Sequence, residues 1–157
     1  MRVRYHIALS VPLAGVLFAV FKSWELAAAS LVSGILIDVD HFLDYFVEYG
    51  MNTDLHNFFS SFPEGRYRKI FILLHGWELL LLGAFAAWAT HWNPVAVGLC
   101  LGYGHHMIAD QLTNNVAVFG YSLLWRCARR FDPIDAFPAA RRYAWNLRKG
   151  QEAGDKR

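Results

Sequence analysis

The sequence predicts an all-α, integral membrane helical bundle: four spanning helices plus an interfacial or half-inserted C-terminal helix. Three observations predict it. Hydrophobic residues make up 55% of the 157-residue chain, above the roughly 45–50% of soluble domains, and the mean hydropathy is +0.23. Six Trp, seven Tyr and twelve Phe supply the aromatic excess that gathers at bilayer interfaces. The apolar residues also fall in four windows of near-spanning length.

A chain of this size fits one domain, with residues 1–131 as the membrane-embedded part and 132–157 as a polar, basic cytoplasmic tail. A net charge of only +2 makes no case for nucleic acid. Cys100 and Cys127 form neither a disulfide nor a metal-binding pattern. The pattern sets no oligomeric state.

The first window, 7–21, follows a basic start, as a signal peptide would. The small residues at 27–30 lie beyond Lys22 and Glu25, a poor cleavage geometry, so the window reads as a retained helix. The second, 24–47, is apolar at first and then carries Asp38, Asp40, His41 and Asp44. The third, 70–91, is the clearest, long enough at ~1.5 Å per residue to cross a ~30 Å hydrocarbon core. The fourth, 94–112, opens with Pro94, which suits a helix start.

Between the second and third windows, Phe58, Phe59 and Phe62 with Arg66 and Arg68 suggest a loop resting on the membrane surface. The apolar stretch 116–125 is about half the ~20 residues of a span, and Arg126, Arg129 and Arg130 follow it. It reads as an interfacial or half-inserted helix, with a fifth span over 116–130 as the alternative. From Asp132 the chain is polar, basic and broken by Pro133 and Pro138, hence a tail.

Basic residues precede the first and third windows and follow the fourth, whereas the opposite side carries only Lys22. The positive-inside rule then makes this a multi-pass protein of the inner (cell) membrane with both termini cytoplasmic.

The ionisable residues inside these windows share a depth. His41, His75, Glu78, His106 and Asp110 lie roughly 5–12 Å from the cytoplasmic ends of three helices. Helical phase supports convergence: at ~100° per residue Asp38 and Asp44 each lie ~60° from His41. Tyr103, His106, Asp110 and Thr113 form one stripe, and Ser30, Ser33 and Gly34 offer small surfaces for close helix contact. His105 points ~100° away from His106 and reads as a packing residue. His6, His56 and His91 read likewise as packing or interface residues.

An ionised side chain at mid-helix depth costs ~2.5–3.5 kcal/mol on insertion scales, and these windows carry several with no Lys or Arg to pair them. A metal ion compensates several carboxylates at once. Mixed Asp, Glu and His ligands suit a divalent ion, zinc foremost, with manganese or iron as alternatives. Asp38, Asp40, His41, His75, His106 and Asp110 are the candidate ligands, and Glu78 and Asp44 the candidate general bases.

Ser33-Gly34-Ile35-Leu36-Ile37-Asp38-Val39-Asp40-His41, Leu74-His75-Gly76-Trp77-Glu78 and Gly102-Tyr103-Gly104-His105-His106-Met107-Ile108-Ala109-Asp110 together resemble the YdjM-type family of small membrane-bound metal-dependent hydrolases. That family carries an Asp-x-Asp-His element, a His-containing element on the next long helix and a later His-x-x-x-Asp element. The resemblance implies hydrolysis of a lipid or lipid-linked phosphoester or ester near the cytoplasmic leaflet, with a membrane lipid as the partner. Glu78 stands as ligand or base. Two other classes use such intramembrane Asp and His residues: an ion transporter and a haem-binding electron carrier.

Overall fold

The computed structural model describes residues 3–51, 54, 56–59 and 67–154, and these are helical or irregular, without a strand. In chain order the helices are α1 (Val3–Phe21), α2 (Trp24–Leu36), α3 (His41–Tyr49), α4 (Trp77–Ala89), α5 (Pro94–Thr113), α6 (Leu123–Ala128), α7 (Pro133–Ala136) and α8 (Pro138–Gly154). A 3-10 turn, Ile37–Asp40, follows α2. The chain divides into two compact units, residues 1–40 with 73–114 and residues 41–72 with 115–157.

The first unit is a set of four helices. Ser23 opens α2 by accepting from the Leu26 amide, and Asn93 opens α5 by accepting from Val95 with Pro94 just inside the helix, both of which satisfy orphan donors of a first turn. The main packing is α2 against α5, and glycine makes it possible. A Cβ on Gly98 would run into the Leu26 carbonyl, and one on Gly102 into the Ser30 carbonyl. Small residues at four-residue spacing let two backbones approach this closely. The same stripe continues down α5 to His106 and Asp110, both fully buried. Helix α1 packs on α2 and buries His6, Ser10 and Leu17, residues at helical spacing on one face.

Two helical stretches, 4–21 and 24–49, are long and apolar enough to cross a membrane. Helix α4 corrects the third expected window. It starts at Trp77, not at residue 70, and its 13 residues reach ~20 Å, short of a ~30 Å core. The physical reason is the extended backbone before it, which is committed to hydrogen bonds described below. Large apolar side chains nevertheless cover the outer faces of this unit: Val11, Val16 and Phe18 on α1, Leu81, Leu82 and Phe85 on α4, and Leu99, Leu101 and Ile108 on α5 are exposed.

The second unit is organised by α3 and the segment 67–72. Phe42 stacks on Phe58 with ring centroids 4.3 Å apart, and Tyr45 meets Phe58 edge-on at 5.3 Å. Phe58, expected on the membrane surface, is therefore buried in an aromatic cluster, while Phe59 is exposed; Phe62 and Arg66 lie outside the described residues. Asp44 accepts from the amides of Phe71 at 2.7 Å and Ile72 at 3.0 Å. Arg126 is buried and donates to the carbonyls of Gly120 and Ile72 at 3.1 and 3.0 Å. These bonds satisfy backbone groups that burial would otherwise strand.

Residues 116–117 are irregular and 118–121 form turns, and only the six-residue α6 follows, so the apolar stretch is not one continuous helix. Beyond it the expected tail is helical: Pro133 and Pro138 open α7 and α8, because a proline lacks only the amide hydrogen that a first turn leaves unpaired.

Candidate metal centre

The centre is built within the first unit, starting from α5. His106 donates from Nδ1 to the Gly34 carbonyl at 2.9 Å. A carbonyl only accepts, so Nδ1 carries a hydrogen, and in the neutral ring Nε2 keeps its lone pair. Asp110, one turn on, is buried on the same face.

The 3-10 turn supplies the next two groups. In an α-helix Asp38 and Asp40 would point ~160° apart, whereas the tighter 3-10 winding brings them to ~120°. They clasp one imidazole from two sides. Asp40 Oδ2 lies 3.2 Å from Nδ1 of His75, and Asp38 Oδ1 lies 3.4 Å from its Nε2. The same Asp40 oxygen accepts from the Leu74 amide at 2.7 Å. That marks it as an acceptor, so Nδ1 of His75 carries a hydrogen, and Nε2 would be the ligating nitrogen in the neutral ring.

His75 sits on a strap ahead of α4, between a turn at 73–74 and the extended Gly76. Tyr103 holds it: the hydroxyl accepts from the Gly76 amide at 3.1 Å and lies 2.7 Å from the carbonyls of Leu74 and Gly76. Tyr103→Phe removes these contacts without touching a ligand. It is expected to weaken metal binding about tenfold, the usual size of an outer-shell loss, with little change in fold. Metal titration of the purified variant checks this, and an unchanged affinity would make Tyr103 a packing residue only.

The Nε2 atoms of His75 and His106 then face each other at 3.2 Å. Asp38 Oδ1 lies 3.5 Å and Asp110 Oδ2 3.7 Å from His106 Nε2, and Asp110 Oδ2 lies 3.5 Å from His75 Nε2. Four ligands placed tetrahedrally ~2.1 Å from an ion stand ~3.4 Å apart, which is the spacing found. A cation held among these four groups would answer all of the contacts at once. The donor set, two imidazoles oriented by a carbonyl and a carboxylate plus two carboxylates, is that of a divalent transition metal.

His6 joins from α1. It is 1% exposed, stacks on His106 with ring centroids 3.9 Å apart, and brings Nε2 to 3.1 Å from Asp110 Oδ1 and 3.6 Å from Asp38 Oδ2. One ligand atom each from His6, Asp38, His106 and Asp110 falls within 4.8 Å of the others.

Of the expected ligands, Asp38, Asp40, His75, His106 and Asp110 are thus brought together, Asp40 behind His75 in a supporting place. His41 and Asp44 belong to the second unit. Both oxygens of Asp44 serve backbone amides and fasten α3 to the segment 67–72. Glu78 stands half-buried in the first turn of α4, where the helix dipole favours a carboxylate. His105, as expected, stays out of the cluster. His6 was not expected in it, although it lies near the same helix end as the others.

The class these features define is an all-helical protein with two possible membrane-spanning helices and a buried His/Asp centre that could hold a metal ion. No family model matches this chain, and neither does any curated protein or solved structure.

Proposed function

We propose that this chain is a membrane-embedded metal-dependent hydrolase acting on a lipid or lipid-linked phosphoester or ester near the cytoplasmic leaflet. The observation that carries it is the pair of imidazole Nε2 atoms at 3.2 Å, enclosed by the carboxylates of Asp38 and Asp110. A divalent ion held by His75, His106, Asp38 and Asp110 would lower the pKa of a bound water and polarise the scissile group. Asp40 and the Gly34 carbonyl fix the two imidazoles, and Glu78 is the candidate to move the proton.

The four-span reading is part of this proposal. Large exposed apolar faces on α4 and α5 would be a liability in water and are ordinary in lipid. The centre also sits at one end of the four helices. His6 lies near the start of α1, Asp38 just past α2, His75 just before α4 and Asp110 near the end of α5, as expected for an up-and-down bundle with its site near one leaflet. With the basic residues on that side, both termini are cytoplasmic. The sequence elements shared with the YdjM-type family carry most of the cluster, which supports the same reaction class.

The test uses full-length protein in detergent and in vesicles of phosphatidylethanolamine and phosphatidylglycerol. Elemental analysis should find stoichiometric transition metal, and chelation should stop release of headgroup or acyl product. Glu78→Gln should keep the metal and lose ~10²–10⁴-fold in turnover. Absence of stoichiometric metal, with a melting temperature indifferent to chelator, would reduce the cluster to a proton-sharing hydrogen-bond network.

A further inference from the structure

We propose that the centre is binuclear, with His6 holding a second divalent cation beside the one placed on His75 and His106; this rests on the metal reading above. Asp38 and Asp110 each divide their two oxygens between two sets of donors. Asp38 turns Oδ1 to His75 and His106, at 3.4 and 3.5 Å, and Oδ2 to His6, at 3.6 Å. Asp110 turns Oδ2 to His75 and His106, at 3.5 and 3.7 Å, and Oδ1 to His6, at 3.1 Å. Two carboxylates shared in this way are the bridges of a two-metal site.

His6 itself points to an ion. Its Nε2 is fully buried and makes no hydrogen bond, even with Asp110 Oδ1 at 3.1 Å, because the atoms are not aligned for one. A single cation on His75, His106 and the inner oxygens has its four ligands without His6 and the outer oxygens. The stacking supplies the spacing. The His6 and His106 rings are 3.9 Å apart and 12° from parallel, and both set Nε2 against the same carboxylate pair. Ions in line with each nitrogen would stand about as far apart as the rings, within the ~3.5–4 Å of two-metal sites. The outer ion would have three protein ligands, His6, Asp38 and Asp110, and so keep open positions, as catalytic rather than structural metals do.

The experiment counts ions on the full chain in detergent, stripped by chelator and titrated with manganese(II). Two ions per chain are expected, the second changing a six-line mononuclear resonance into an exchange-coupled spectrum. His6→Ala, and His6→Gln as the better-packed variant, should bind one ion and keep the mononuclear spectrum. One ion per chain in the wild type at saturation overturns the second site and leaves the single-ion reading standing. Two ions in both His6 variants overturn it as well, and none in the wild type overturns both readings. If neither variant folds, the wild-type count and spectrum decide alone.

Discussion

Replacing Asp110 by alanine is expected to strip the protein of stoichiometric metal and to cancel the difference in melting temperature between loaded and chelated samples. Asp110 is 1% exposed and its two oxygens face three imidazoles, at 3.1 Å from His6, 3.5 Å from His75 and 3.7 Å from His106. Asp38 faces the same three imidazoles, at 3.4–3.6 Å, but Asp110 makes the shortest of these contacts. Loss of an outer-shell partner costs ~10–100-fold in metal affinity, so a direct ligand common to all three histidines should exceed the upper figure. By linkage, an ion present at about a hundred times its dissociation constant stabilises the fold by ~2.7 kcal/mol; a hundredfold loss of affinity removes most of that. Asp110→Asn separates charge from packing, since it keeps the volume and gives up the anionic oxygen. Both variants should lose metal, and the asparagine variant should melt closer to the chelated wild type. Full metal content in Asp110→Asn would take Asp110 out of the ligand set.

Depth and charge accounting made much of this centre legible in the sequence. Asp38, Asp40, His75, His106 and Asp110 share a layer without a basic partner, and the structure gathers all five. Where the sequence argument failed, it had assumed regular helix. The step from Asp38 to His41, read at ~100° per residue, crosses a segment that winds as a 3-10 turn, which advances ~120° per residue. His75 was placed inside a long helix, but the strap pinned by Tyr103 and Asp40 delays the helix start to Trp77. An apolar run cannot reveal that, because the competing partners are a distant hydroxyl and a distant carboxylate. His6 reads from the sequence as a packing or interface residue. The depth argument, applied to α1 as it was to the other helices, would have included it.

Gly102→Val should separate α2 from α5 and lose the centre without altering any ligand. The valine Cβ would meet the Ser30 carbonyl and the Ser33 hydroxyl at once. The hydroxyl can rotate away, but a backbone carbonyl inside a helix cannot, so the helices themselves must move. Overpacking of this kind costs ~1–3 kcal/mol when side chains can give way, and here the obstacle is main chain, so the upper end is expected. The consequence one turn further down is specific. His106 depends on the Gly34 carbonyl of α2 at 2.9 Å for its orientation, and a shift of even 1 Å breaks that bond and turns Nε2 away from His75. Melting temperature and metal content should therefore fall together. Leu101→Ala, on the neighbouring exposed face of α5, should change stability by no more than ~0.5 kcal/mol and keep the metal. A Gly102→Val protein with wild-type melting and full metal would mean that close helix approach at this glycine does not position the site.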